Sequence, residues 1–107
     1  MSDQPTRKYA LIRVEAGVYL LPSNDAQTLW RIHSYTEYGD GWWTLEDGSE
    51  KQIKGTFWNT ARRPMPEQHE IDDEDFLWDH DQWEEWSGVH ATRREAIEET
   101  LRASGRG

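Results

Sequence analysis

Residues 8–60 read as a succession of short β-forming runs, and helical spacing of apolar positions appears only near the C-terminus. Residues 8–14 (KYALIRV) and 18–21 (VYLL) flank Glu15-Ala16-Gly17, a spacing that predicts a hairpin with a short glycine-containing loop. Pro22-Ser23-Asn24-Asp25 is a turn cluster that closes the second run. In residues 28–38 (TLWRIHSYTEY), Trp30 and Ile32 fall on one side and Leu29, Arg31, His33 and Tyr35 on the other. Both faces of this strand are therefore expected to be partly covered. Gly39-Asp40-Gly41 is expected to turn the chain into residues 42–46 (WWTLE). Asp47-Gly48 then predicts a hairpin into residues 51–58 (KQIKGTFW), where Ile53 and Phe57 share a face.

Five strands with short connections imply an α+β protein built on a small antiparallel sheet or an SH3-like barrel. Two prolines in residues 61–66 (ARRPMP) end this β-rich body with an extended exit. Residues 86–91 read as a short strand or turn. Near the C-terminus, Thr92 and Glu95 match a capping box, and Ala96, Ile97, Thr100 and Leu101 form one helical stripe. Glu98 and Arg102 stand at i,i+4, and Ser104-Gly105 is a helix stop, so residues 93–103 are expected to form an amphipathic helix on the sheet. The whole is one domain over 1–107: a body at 8–60, a linking segment at 64–86 and a final helical region at 92–104.

That linking segment changes the picture. Its stretch EIDDEDFLWDHDQWEEW, residues 70–86, interleaves carboxylates with large aromatics. Glu67, Glu70, Asp72, Asp73, Glu74, Asp75, Asp79, Asp81, Glu84 and Glu85 lie within it or beside it, and no Lys or Arg stands between Pro64 and Thr92. The formal net charge of the chain is −9, and this segment carries the whole imbalance. Carboxylates at 72–75 suit a helix start, so a short helix over about residues 73–80 is expected, with Phe76, His80 and Trp83 on one face. The aromatics should dock on the body and hold the carboxylates outward. If the segment were one straight helix, its acids would recur about every 3 Å, close to the roughly 3.4 Å between phosphates of a DNA strand.

Hydrophobic residues make up 35% of the chain and charged residues 31%, a balance rescued from disorder by seven tryptophans. Trp42 and Trp43 must face opposite sides, and Trp58, out of register with Ile53 and Phe57, is the expected exposed aromatic. The absence of cysteine excludes disulfides, thiolate metal sites and cysteine nucleophiles. No apolar run suits a membrane span, and residues 1–8 lack the apolar core of a signal peptide, which makes cytoplasmic location the expectation.

Candidate chemistry is sparse. His33, His69, His80 and His90 include no i,i+4 pair, and Asp79-His80-Asp81 reads more simply as a solvated turn than as a divalent-ion site. Ser23 and Ser34 lack a nucleophile context, and no Lys-Ser/Thr follows the glycines at 39–41 to make a phosphate loop. Arg62-Arg63 is expected to neutralise part of the acidic segment. Clustered basic residues are missing, which argues against direct binding to DNA or RNA. No enzyme and no cofactor is expected.

The body followed by HATRREAIEETL (residues 90–101) resembles small accessory proteins of actinobacteria and their phages, in which a Thr-Arg-x-Glu-Ala start caps a final helix. That resemblance implies an accessory role, such as inhibiting a host nuclease, polymerase or defence complex. The expectation is thus a non-enzymatic binding module, a phage-type inhibitor or nucleic-acid mimic, that meets a basic, nucleic-acid-binding host protein. The expected contact residues are Asp72, Asp73, Glu74, Asp75, Asp79, Asp81, Glu84 and Glu85, with Trp58 and Trp78. The alternatives are an assembly protein that uses exposed tryptophans, and a small metal-dependent enzyme.

Overall fold

Side-chain alternation resolves into a single sheet with a different cover on each face. The computed structural model describes residues 11–105; the start of the first expected strand, at residues 8–10, and the polar N-terminus lie outside them. Five antiparallel strands lie in sequence order: β1 (Ile12–Glu15), β2 (Val18–Pro22), β3 (Thr28–Thr44), β4 (Glu50–Pro64) and β5 (Glu84–His90). Two short helices, α1 (Gln68–Ile71) and α2 (Arg93–Ala103), complete the α+β arrangement. Neighbours in the sheet run from β1 to β5 without closure, so it is open, and the barrel alternative is not the form adopted. Among the described residues no helix is long and apolar enough to cross a membrane.

The strand inventory differs from expectation at two places. Residues 28–38 and 42–44 belong to one long strand, not two, and Leu45 and Glu46 fall in the turn that follows. Tyr38 pairs with Lys54 and Trp42 with Gln52, so Gly39, Asp40 and Gly41 stand opposite Ile53 alone. They form a bulge, which Gly41 accommodates with φ +99° and no Cβ to resist it. The fifth strand is β5, which starts at the end of the acidic segment with Glu84 and Glu85. Asp47-Gly48 does make the predicted hairpin: Gly48 N–H donates to Leu45 O (2.9 Å), and Asp47 Oδ1 accepts from Ser49 N (2.9 Å). The tip of this hairpin returns to β5, where Glu46 N–H donates to Val89 O (3.0 Å) and Gly88 N–H to Glu46 Oε2 (2.9 Å). The long arm leaves the molecule extended, with a radius of gyration of 15.0 Å against about 13 Å for a compact domain of similar size.

Register separates the two faces. Leu21, Trp30, Ile32 and Thr60 share one face, and α2 packs across it on β3, β4 and β5. Ala96 and Thr100 are fully buried there, as the helical stripe predicts. Arg93 donates to Tyr19 Oη (2.8 Å) and Trp86 Nε1–H to Glu99 (2.8 Å), tying the start and the middle of the helix to the sheet. Charge pairing along α2 is not the expected Glu98–Arg102; Arg94 pairs with Glu98 (3.3 Å) and Arg102 with Glu99, because Glu99 is already drawn to the helix surface beside Trp86.

Thr92 is the N-cap, its hydroxyl accepting from Glu95 N–H at 3.2 Å. Thr92→Ala should therefore cost about 1 kcal/mol, read as a lower urea midpoint with an unchanged denaturant slope.

The other face is covered by the acidic segment itself. Leu20, Leu29 and Ala61 from the sheet meet Phe76 and Trp83 in one buried cluster, with Leu77 at its edge. The expected helix over residues 73–80 does not form. The segment instead holds the four-residue α1, a 3₁₀ turn at Phe76–Trp78, and tight turns in which Asp73 Oδ1 accepts from Asp75 N (2.8 Å) and Asp79 Oδ1 from Asp81 N (3.0 Å). Aspartates that bond their own backbone favour turns over helix, and repulsion among adjacent carboxylates works in the same direction. The regular, phosphate-like charge spacing rested on that helix and goes with it.

Candidate functional site

The residues singled out from sequence fall on two sides of this covering layer. Asp72, Asp73, Glu74, Asp75, Asp81, Glu84 and Glu85 are exposed, and Asp79 is half-buried. Between them Phe76 and Trp83 turn inward, and the indole N–H of Trp83 donates to Phe76 O at 2.7 Å. The aromatics thus peg the segment to the sheet while most of its carboxylates face water. Trp78 is 41% exposed, on the same segment. Trp58 is not the exposed aromatic; it is half-buried beside Tyr19, with a ring separation of 6.3 Å, because its side of β4 is the side that α2 covers. Trp42 on the arm is the most exposed tryptophan at 64%, while Trp43 packs edge-on to Phe57 (5.0 Å).

Arg62 and Arg63 do neutralise part of the segment. Arg62 pairs with Glu84 (2.9 Å) and Arg63 with Glu70 (2.6 Å). The Glu67 backbone N–H, and after it the Arg63 guanidinium, hold the Glu70 carboxyl below the usual range. Among the described residues no ion pair engages Asp72, Asp73, Glu74, Asp75, Asp79, Asp81 or Glu85. Glu84 and Glu85 stand on β5, Glu84 beside Arg62 on the face that α2 covers and Glu85 opposite Ala61 on the other, so the exposed carboxylates of the covering layer itself are Asp72, Asp73, Glu74, Asp75 and Asp81. Among the described residues, no group of three or more His, Asp or Glu is arranged to hold a metal ion, Asp79-His80-Asp81 included.

Beside the layer lies a cleft of about 460 Å³, open to solvent, that the sequence did not disclose. Arg31, His33 and Tyr35 of β3 and Asn59 of β4 line it from the sheet. Trp43, Trp83 and Glu85 also line it. Arg31 is 7% exposed, with its guanidinium carbon 5.0 Å from the ring centres of both Trp78 and Trp83, and it donates through Nη1 to Leu77 O. Burial pushes its pKa down to about 10, against the opposing pull of Glu85, and it remains a cation at neutral pH. Burial, and then the charge of Arg31, lower His33 to about 4, so its ring is neutral. Tyr35 donates to Gly88 O at 2.6 Å.

Alternation along residues 29–35 did place Leu29, Arg31, His33 and Tyr35 on one face. The signal left unread was that three polar side chains in a row on a covered face need partners. Comparison with models of known protein families, with curated proteins and with solved structures finds no match for the chain.

Proposed function

We propose that the outer surface of residues 67–85 is a docking face for a basic protein surface, of the kind that itself grips nucleic acid, and that the protein acts by occupying that surface. One observation carries this reading: Phe76 and Trp83 are buried against the sheet while Asp72, Asp73, Glu74 and Asp75 stand exposed and, among the described residues, outside any ion pair. A layer fixed in this way presents its charges without the ordering cost that a flexible acidic tail would meet on binding. Long-range attraction between such a face and a Lys/Arg-rich groove speeds encounter and weakens steeply with salt. Trp78, exposed on the same segment, supplies an aromatic of the type that anchors interfaces. An inhibitory or accessory role follows naturally, since a protein that fills a nucleic-acid groove blocks it.

The decisive experiment compares capture of basic proteins from the source cells by the native chain and by the variant Asp72→Lys, Asp73→Lys, Glu74→Lys, Asp75→Lys. Asp73 Oδ1 accepts from Asp75 N and Asp72 Oδ1 from Gln68, so the comparison is made on a variant whose fold is verified by its melting temperature and circular dichroism. Native capture should be strong in about 50 mM salt and fade by a few hundred millimolar, and the variant should capture nothing. Equal capture by the two proteins overturns the reading.

A second reading rests on Tyr38 and Trp42, both exposed on the long arm of β3. An assembly contact through these rings would survive high salt and be lost in Trp42→Ala.

A further inference from the structure

The long arm of β3 and β4 is sharply bent. Tyr35 and Trp43 stand eight residues apart on β3, and a straight strand would separate them by about 26 Å. Their ring centres lie 6.4 Å apart. Trp43 pairs across the sheet with Lys51, yet its ring packs at 5.0 Å on Phe57, six residues further along β4. The bend falls where glycines stand on both strands: the bulge at 39–41 on β3, and Gly55, the partner of Glu37, on β4. Gly41 and Gly55 take φ +99° and +107°. At neither would a Cβ meet an atom within 4 Å among the described residues, so backbone conformation, not space, calls for glycine there. Beyond the bend, residues 42–54 seat on the body through Trp43 against Tyr35 and Phe57 and through the Lys51 ammonium, 4.5 Å from the Phe57 ring centre. The hydrogen bonds of Glu46 with Gly88 and Val89 fasten the tip.

We infer that residues 42–54 are an exchangeable arm: the bend straightens in two copies of the chain, and each seats its arm on the other to give a two-fold dimer. The inference rests on the second reading above and deepens it, since it names a second copy as the partner of Tyr38 and Trp42. Every contact that the arm makes with its own body is offered in the same form by a second copy, so exchange loses none of them. Glycines on both strands at one level supply the hinge, because they leave positive φ for ordinary strand geometry without strain. Surface that exists only in the pair lies at the straightened bends. Tyr38 and Trp42 flank the bend at 71% and 64% exposure, on the face they share with Lys54 and Gln52. Rings that the single chain leaves in water are thereby brought against their counterparts. Charge offers little opposition, since residues 42–54 hold Glu46, Asp47 and Glu50 against Lys51 and Lys54, a net of −1. The acidic layer takes no part, so the docking face proposed above and the exchange can fail separately.

The chain has no cysteine, so one disulfide can be placed alone. Glu46→Cys together with Val89→Cys puts a thiol on each side of the contact between the arm and β5. This variant is held at millimolar concentration, oxidised, denatured and run without reductant, beside light scattering of the native chain at the same concentration. The native chain should be dimeric, and the disulfides of the variant should join one chain to another. Gly55→Val disfavours the bend, because a β-branched residue resists a φ near +107°, and should raise the dimer association constant about tenfold. Tyr38→Ala with Trp42→Ala should lower it about tenfold. A native chain that stays monomeric overturns the inference and the second reading together. Dimers whose disulfides are all internal overturn the exchange, and if Trp42→Ala dissolves them the second reading stands without it. Joined dimers indifferent to the loss of both rings support the exchange and remove Tyr38 and Trp42 from it. An association constant unchanged or lowered in folded Gly55→Val overturns the hinge, and should that variant not fold, the disulfide result decides alone.

Discussion

Trp83→Ala is expected to lower the stability of the fold by about 3–5 kcal/mol, the usual cost of removing a buried large aromatic. Trp83 is 7% exposed, packs edge-on to Phe76 at 5.8 Å, and lies within 5.0 Å of the Arg31 guanidinium and 5.8 Å of that of Arg63. It is also the link through which the acidic segment is fastened, since its indole N–H holds Phe76 O. A domain of this size has only about 5–15 kcal/mol in hand, so the loss removes a large share of the total. Carboxylates of the segment repel one another, and the peg is a main contact that offsets this repulsion, beside the Arg62–Glu84 and Arg63–Glu70 pairs. Urea unfolding measures the effect. Trp83→Phe, which keeps a ring but loses the hydrogen bond, should cost less than half as much. Trp42→Ala, on the exposed arm, should stay within about 0.5 kcal/mol of the native value, as surface changes do. A loss below about 1 kcal/mol for Trp83→Ala would mean that the segment is not a packed layer.

The contrast between Trp83 and Arg31 shows where sequence patterning reaches and where it stops. Local chemistry was legible. Glu15-Ala16-Gly17 and Asp47-Gly48 make hairpins because their glycines take φ +75° and +90° at little cost, and Thr92 caps α2 because its hydroxyl meets a free N–H. That Phe76 and Trp83 would dock inward was legible too, since such rings seldom stay in water. Glycines at 39–41 were misread because a turn and a bulge draw on the same residues. What separates them is whether Trp42 finds Gln52 across the sheet, a pairing that no local window contains. The acidic helix failed for a related reason: the aspartates prefer their own backbone, and tertiary docking of the aromatics needs turns rather than one straight axis. The cavity was hidden more deeply. Alternation assigns Arg31, His33 and Tyr35 to a face, but the burial of Arg31 and His33 exists only once residues 76–83 have been folded over that face.

Acidification should destabilise the protein between pH 6.5 and about 4, and His33 is the main cause. Its folded pKa is lowered from 6.5 to about 4, first by burial and then by the charge of Arg31. A base with a depressed folded pKa takes up protons in the unfolded chain before it does so in the native one. Stability therefore rises with pH across this window: the His33 contribution is intact above 6.5, is lost progressively as the pH falls, and changes no further below about 4. Full burial would put the loss near 3 kcal/mol, but the ring is only half-buried and water screens it, so about 1–2 kcal/mol is expected. In a domain of this length that lowers the melting temperature by about 5–10 °C. His90 acts in the same sense. Burial lowers its pKa more than the carboxylates of Glu46, Glu95 and Asp47 raise it, and its Nε2 is held against Ser87 Oγ at 2.7 Å. Depressed carboxyls at Asp25, Asp47 and Glu70 lose their contribution at still lower pH, so the decline continues beyond the histidine window. Melting temperatures measured from pH 7.5 to 3.5 on the native chain and on His33→Gln separate these sources. The variant should show a shallower slope between 6.5 and 4 and the same slope below. An unchanged upper slope would assign the acid sensitivity to His90 and its bond to Ser87, and would remove His33 from the account.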